Sequence, residues 1–217
     1  MALDSKKLQK KKTKKAAKQK ARQNQRKKSS VIKGLAGSTS IKYALEAPVH
    51  ECWMPETLFK SSSGVGTVVI SRKTRGHEIL MAGFLLDVFC LGVKDAYIRT
   101  MSEKEYQLQL EYISANEFMK KIDSSCARKL IEGAEQYAEN LGLHPHKDYH
   151  AAKKIFGDIK VEGCADSFTF GKNGRPFYAT GPHDSERFRR NIINQLTKTC
   201  GADGFEHLLI WEDELSL

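Results

Sequence analysis

The chain has 217 residues, with 36 Lys and Arg against 26 Asp and Glu and a formal net charge of +10. Of these, 14 basic residues and 1 acidic residue fall within the first 33 positions, which leaves 22 basic against 25 acidic residues in positions 34–217. The pI of 9.3 therefore describes a polycationic arm on a mildly acidic body, with neither the roughly 18 apolar residues of a bilayer span nor the apolar stretch of about 7–15 residues of a secretory signal.

Residues 1–33 alternate Lys clusters with Gln, Ala, Asn and Thr and contain no aromatic residue. Such a segment cannot bury enough apolar area to offset its ordering entropy, and its charges repel one another, so disorder is expected when it is free. Ala16 to Arg22 is a run of good helix formers, and a polyanion that neutralises the repulsion would favour helix there. Lys6, Lys7, Lys10, Lys11, Lys12, Lys14, Lys15, Lys18, Lys20, Arg22, Arg26, Lys27 and Lys28 are the candidate contacts to RNA, DNA or a ribosomal particle. Affinity gained through them would depend steeply on salt and little on sequence. The arm lacks the apolar face that would insert into a membrane surface.

Gly34, Gly37, Ser38, Thr39 and Ser40 mark residues 34–41 as a linker, and 42–217 is long enough for a single α+β domain. Val68–Arg72 and Glu78–Leu86 read as strands joined by a turn at Lys73-Thr74-Arg75-Gly76, and Phe89–Ile98 as a further extended run. Helices are expected over Ala115–Ile122 and over Ser124–Leu141, the latter capped by Asp123 or Ser124 and ended by Gly142. A shorter helix over Lys147–Phe156 is closed by Gly157. Ser167–Phe170 and Pro176–Thr180 flank Gly171-Lys172-Asn173-Gly174, an Asn-Gly turn that predicts a hairpin. A helix from Ser185 to Lys198 with Asp184 as its cap, and a strand over Phe205–Trp211, complete the order. The result is an α+β fold with a largely antiparallel sheet and three to four helices.

The five cysteines, Cys52, Cys90, Cys126, Cys164 and Cys200, form no CxxC pair and are odd in number. They are expected to be reduced thiols in a reducing cytoplasm. Their spacings of 38, 36, 38 and 36 residues carry no repeat, because the flanking residues differ.

Four blocks, Glu51-Cys52-Trp53-Met54-Pro55-Glu56, Leu85–Ala96, Ala127–Gly157 and Phe168–Ser185, resemble an uncharacterised bacterial protein family whose members often carry a Lys-rich N-terminus. The resemblance covers most of 48–210 and implies a single cytoplasmic domain. It implies no reaction, cofactor or catalytic residue.

Three constellations hold potential chemistry. His144, His146, Asp148 and His150 are candidate metal ligands, since His146 and His150 share a face if a helix begins near His146; Lys147 stands where a zinc hydrolase of that spacing has Glu. Asp87 and Asp95 are candidate catalytic acids that with Glu51, Glu56 or Asp166 would resemble a two-metal nuclease centre, although an unbroken strand would hold the two aspartates about 26 Å apart and a bend at Gly92 is required. At Gly181-Pro182-His183-Asp184 a helix start with Arg187 and Arg190 offers phosphate contacts, opposed by Asp184 and Glu186. Gly64-Val65-Gly66 precedes a strand and does not form a dinucleotide fingerprint. The sequence favours a non-enzymatic cytoplasmic protein that binds RNA, DNA or a ribosome through its arm. The alternatives are a metal-dependent hydrolase or nuclease, and a protein-interaction module whose Glu212-Asp213-Glu214 end docks a basic partner.

Overall fold

The computed structural model describes residues 39–181 and 184–208. The arm, residues 34–38 of the linker, the acidic Glu212-Asp213-Glu214 end and the last three residues of the strand expected over Phe205–Trp211 lie outside them. Chain order is α1 (Thr39–Glu46), β1 (Val49–Pro55), β2 (Val65–Lys73), β3 (Glu78–Asp87), β4 (Gly92–Ser102), α2 (Glu103–Ser114), β5 (Met119–Lys121), α3 (Ser124–Asn140), α4 (Tyr149–Ala152), two 3₁₀ turns (Lys153–Phe156 and Val161–Gly163), β6 (Phe177–Ala179), α5 (Glu186–Cys200) and β7 (Glu206–Leu208). Strands β4-β3-β2-β1-β5 form an antiparallel sheet, and β6 and β7 a separate parallel pair. The architecture is α+β. No helix among the described residues is long and apolar enough to cross a membrane.

The sheet is covered on both faces, and the period of two along its strands assigns each residue to a side. Val68, Ile70, Leu80, Ala82, Phe84, Leu86, Ala96 and Ile98 join Ala127, Leu130, Ile131 and Ala134 of α3 and Tyr149, Ile155 and Phe156 in the main core. Val69, Ile79, Met81 and Met101 face the other way, onto Tyr106, Leu110 and Ile113 of α2. A third cluster joins Cys90 and Leu91 to Ala138 and Leu141 at the end of α3 and to Ile192 and Leu196 of α5.

The β2–β3 hairpin and α3 lie where the sequence puts them, with Asp123 Oδ1 accepting from the Ser125 amide and Gly142 left-handed at φ 74°. The helix expected over Ala115–Ile122 is displaced. Its place is taken by the edge strand β5, while the helix runs earlier, over α2, because Ser102 and Glu105 close a capping box around its first turn. The expected extended run from Phe89 is a reversal at Val88–Leu91 followed by β4, with Gly92 at φ 64° and paired to Asp87. Ser167–Phe170 joins no ladder among the described residues. The Asn-Gly turn does close, through reciprocal Lys172 and Arg175 backbone bonds, yet the strand that follows it pairs with β7. Ser185, whose Oγ accepts from the Phe188 amide, caps α5. Asp184 instead accepts from the Gly181 amide and the Tyr178 hydroxyl. Phe188, expected inward, is 41% exposed.

One buried cation ties the layers together. Arg72 of β2, 1% exposed, donates to the carbonyls of Ala47 (2.6 Å), Ile155 (2.8 Å) and Phe156 (2.8 Å) and to Asp158 Oδ1 (2.8 Å). A guanidinium removed from water must have its donors met, and here three backbone oxygens from two segments meet them. Asp158, 88% exposed, closes the set from the solvent side. Arg72→Met leaves those carbonyls without their donor and is expected to lower unfolding free energy by about 3–5 kcal/mol. Asp158→Asn is expected to cost under about 1 kcal/mol, because water screens its side of the pair. Urea denaturation of both variants measures the difference, and equal losses would show that the ion pair, not the carbonyl set, carries the energy.

Candidate functional site

Three loops of different origin meet beside the β3–β4 reversal. The first is the turn after β1, wound tight by Lys60 and Ser61 amide bonds to the Thr57 carbonyl, which presents Phe59 and Lys60. The second is the reversal itself, carrying Phe89. Its backbone receives the Gly171 amide at Val88 O (2.9 Å) and the Phe177 amide at Phe89 O (3.0 Å), which fixes the third loop, Ser167–Gly174, against it. Between them lies a cleft of about 570 Å³ lined by Phe59, Lys60, Ser61, Phe89, Ser167, Phe168, Thr169, Gly171, Lys172, Asn173 and Gly174. The volume falls in the usual range of small-ligand sites.

Aromatic packing shapes one wall. Phe168 stacks on Phe59 with ring centroids 5.9 Å apart and planes at 11°. Phe170 meets Phe59 edge-on and stacks on Tyr137 of α3. The opposite wall is the Gly171–Gly174 turn, whose left-handed residues are Gly171 (φ 82°), Asn173 (φ 54°) and Gly174 (φ 79°). A Cβ at Gly171 would stand 2.7 Å from the Tyr137 hydroxyl and 2.8 Å from the Arg175 carbonyl, so the close approach requires glycine.

The electrostatics of the cleft are one-sided. No carboxylate lines it, and Lys60 and Lys172 have no acidic partner among the described residues. Lys172 Nζ rests 4.1 Å from the centre of the Phe177 ring. The amides of Asn173 and Gly174 have no acceptor among the described residues. Two free amides in a turn of left-handed residues, with two ammonium groups and the hydroxyls of Ser61, Ser167 and Thr169 nearby, form an anion cradle beside exposed ring edges. The sequence contained the signal, in Lys60 next to Phe59 and in Lys172 close after Phe168 and Phe170, but the Asn-Gly turn read more strongly as a hairpin.

The residues singled out from sequence are placed as follows. Asp87, at the end of β3, is fully buried, and its Oδ1 accepts from the Phe89 and Cys90 amides at 3.1 and 2.9 Å. Its Oδ2 has no partner. Asp95 is half-buried on β4, where its Oδ1 accepts from the Ala96 amide and lies 3.3 Å from His146 Nδ1. Asp148 Oδ2 lies 3.8 Å from the same nitrogen. The structure thus joins one member of the aspartate pair to two of the histidine motif. His144 and His150 are exposed, and α4 begins only at Tyr149, so His146 precedes the helix and shares no face with His150. At the start of α5, Arg190 pairs with Glu186 at 2.8 Å.

Glu51 is engaged elsewhere, accepting from Lys121 Nζ (2.8 Å), Trp53 Nε1 and the Tyr106 hydroxyl. Burial alone would raise its carboxyl, but these donors, led by Lys121, hold it below the ordinary value. Among the described residues, one set of three His, Cys, Asp or Glu side chains brings its ligand atoms within 4.8 Å of one another: Cys126, Cys164 and Asp166. Glu51, Glu56, Asp87 and Asp95 form no such set.

That set also corrects the expectation of reduced thiols. Cys126, in the first turn of α3, and Cys164 are joined in a disulfide with Cα atoms 4.8 Å apart, inside the span such bonds require. With both sulfurs bonded to each other, neither has a thiolate for a metal. The 38-residue separation concealed the pair because nothing local signals it. Cys52 and Cys90 are buried free thiols; burial pushes Cys52 up to about 12 and raises Cys90 as well.

No family model, curated protein or solved structure matches the chain.

Asp87 gives a pH test of the floor beneath the cleft. Burial pushes its carboxyl up to about 6 from 3.8, against the charge of Lys94 and the amides of Cys90 and Phe89. The folded chain therefore holds this proton to higher pH than the unfolded chain, so the group favours the fold at low pH and withdraws that support as pH rises from about 4 to about 6. At about 1.4 kcal/mol per unit the change amounts to about 3 kcal/mol. The stability gap between Asp87→Asn and wild type, measured in urea, is expected to move in the variant's favour by that amount between pH 4 and 7. A constant gap would show that burial does not perturb the acid.

Proposed function

We propose that the protein is a non-enzymatic, cytoplasmic binding protein for single-stranded nucleic acid, free or within a ribosomal particle. In this reading the Lys-rich arm supplies sequence-indifferent attraction and the cleft supplies the specific contact. The observation that carries it is the cleft's composition: two unpaired lysines and two free amides suited to phosphate, set beside phenyl rings on which a base can stack, with no carboxylate to repel the strand. Stacking on aromatic side chains and charge along a groove are the two terms that hold single strands. A duplex presents its bases inside, out of reach of such rings. The family resemblance brings no activity to the reading, and the dispersal of Asp87, His144 and His150 gives a hydrolase no assembled centre among the described residues.

Anisotropy of labelled oligo(U), oligo(dT) and duplex DNA, titrated with the full chain across a salt series, tests both parts. Replacing the arm's basic residues by Gln is expected to weaken all three ligands alike and to flatten the salt dependence, by about 0.7 in slope for each single-strand phosphate no longer neutralised. Lys60→Ala with Lys172→Ala is expected to weaken the single strands about tenfold, the scale of one base stacked on an aromatic ring, and to leave the duplex unchanged. Equal weakening for duplex and single strands, or no binding at low salt, overturns the assignment.

A further inference from the structure

The disulfide anchors a wall of the cleft. Cys164 follows the second 3₁₀ turn and begins the segment that supplies Ser167, Phe168 and Thr169. From Ala165 to Phe170 that segment makes no sheet hydrogen bond among the described residues. Besides the bond to Cys126 it is tethered by Lys129 Nζ, which donates to the Cys164 and Asp166 carbonyls at 3.2 and 2.7 Å, and by the packing of Phe168 on Phe59 and Phe170 on Tyr137. The sulfurs lie just under the surface, since Glu162, Gly163, Ala165, Asp166 and Ser167 around them are exposed.

We propose that Cys126–Cys164 is a reversible redox-modification site whose state sets the shape of the cleft. The proposal rests on the cleft being the nucleic-acid site in a reducing compartment, where disulfides are usually transient, catalytic or sensing. The reaction is thiol–disulfide exchange with glutathione or a similar small thiol. One external thiolate attacks a protein sulfur and forms a mixed disulfide as the other protein sulfur leaves. A second external thiol then attacks the mixed disulfide. The protein bond takes up two electrons and two protons, and the two external thiols become one disulfide; glutathione disulfide drives the reverse. A thiolate released at Cys126 faces the first-turn amides of α3, which favour the opening. Asp166 Oδ2, 3.9 Å from Cys126 Sγ, disfavours the same anion and supports the closed state. Once open, the wall keeps only Lys129 and its ring packing.

The full chain is tested in both oxidation states. After treatment with glutathione at millimolar concentration, alkylation and peptide mass analysis are expected to find Cys126 and Cys164 as thiols while the far-ultraviolet dichroism is unchanged. Hydrogen exchange at 164–171 is expected to quicken at least tenfold on reduction, with β2–β4 unaffected. Oligo(U) affinity at about 0.3 M salt, where the arm is screened, is expected to fall at least tenfold and to return with glutathione disulfide. A bond that survives glutathione, unchanged exchange at 164–171, or loss of protection throughout β2–β4 would overturn the proposal, the last by making the bond a structural staple. If neither state binds oligo(U), the cleft assignment fails by itself, and exchange at 164–171 alone decides the redox site.

Discussion

The guanidinium of Arg72 is the constraint around which the described fold is organised. It lies in a central strand, on the side facing the main core, and a buried charge there is tolerated only if every donor direction meets an oxygen. The oxygens come from Ala47, where α1 has ended, and from Ile155 and Phe156, where the chain turns after α4. These carbonyls belong to segments too short to satisfy themselves as helices. The exchange is mutual: the irregular backbone ends neutralise the cation, and the cation gives those ends donors they would otherwise lack. Gly157, left-handed at φ 47°, lets the chain pass the guanidinium, since a Cβ there would stand 2.9 Å from Arg72 Nη2.

From that anchored sheet the cleft follows geometrically. Its three loops come from the end of β1, the β3–β4 reversal and the long segment between the second 3₁₀ turn and β6. The reversal at Val88–Leu91 is the common element. Asp87 Oδ1 holds its amides from within, while its carbonyls accept Gly171 and Phe177 from without. A buried acid, a tight turn and a glycine loop are thus linked through consecutive backbone groups. The rigid part of the cleft is the side joined to this turn. The opposite wall depends on side-chain packing and one disulfide, and stability in such irregular segments is lower than in the sheet they border.

The charge distribution divides labour within the chain. Acids of the described body are largely occupied with caps and ion pairs, such as Glu105 at the start of α2 and Glu51 with Lys121. The lysines of the cleft are left without acidic partners. A polycationic arm on a mildly acidic body gains affinity for any polyanion, but discrimination requires fixed groups at fixed distances. Those are present in the cleft, where glycine geometry and ring stacking set their positions.

Much of the fold was legible from residues alone. Alternating apolar residues and a turn at Lys73–Gly76 specified the β2–β3 hairpin, and the apolar face from Leu130 to Ala138 with its Asp123 cap specified α3. Both signals are local, with the period, the cap and the breaker inside one short window. Where the sequence misled, distant partners decided: β5 is a strand because β1 offers it an edge, and Phe168 and Phe170 leave the expected hairpin because Phe59 and Tyr137 receive them. Aspartates 87 and 95 fall on adjacent strands, and Asp95 meets His146, through a reversal that the glycine at position 92 permitted but did not require. By itself the sequence determined the charge-separated arm, the α+β class and the strongest hairpin and helix, because composition and periodicity are properties of the chain read in order. Tertiary structure alone decided the Arg72 cage, the Cys126–Cys164 bond and the cleft, because each depends on groups tens of residues apart whose meeting is set by packing.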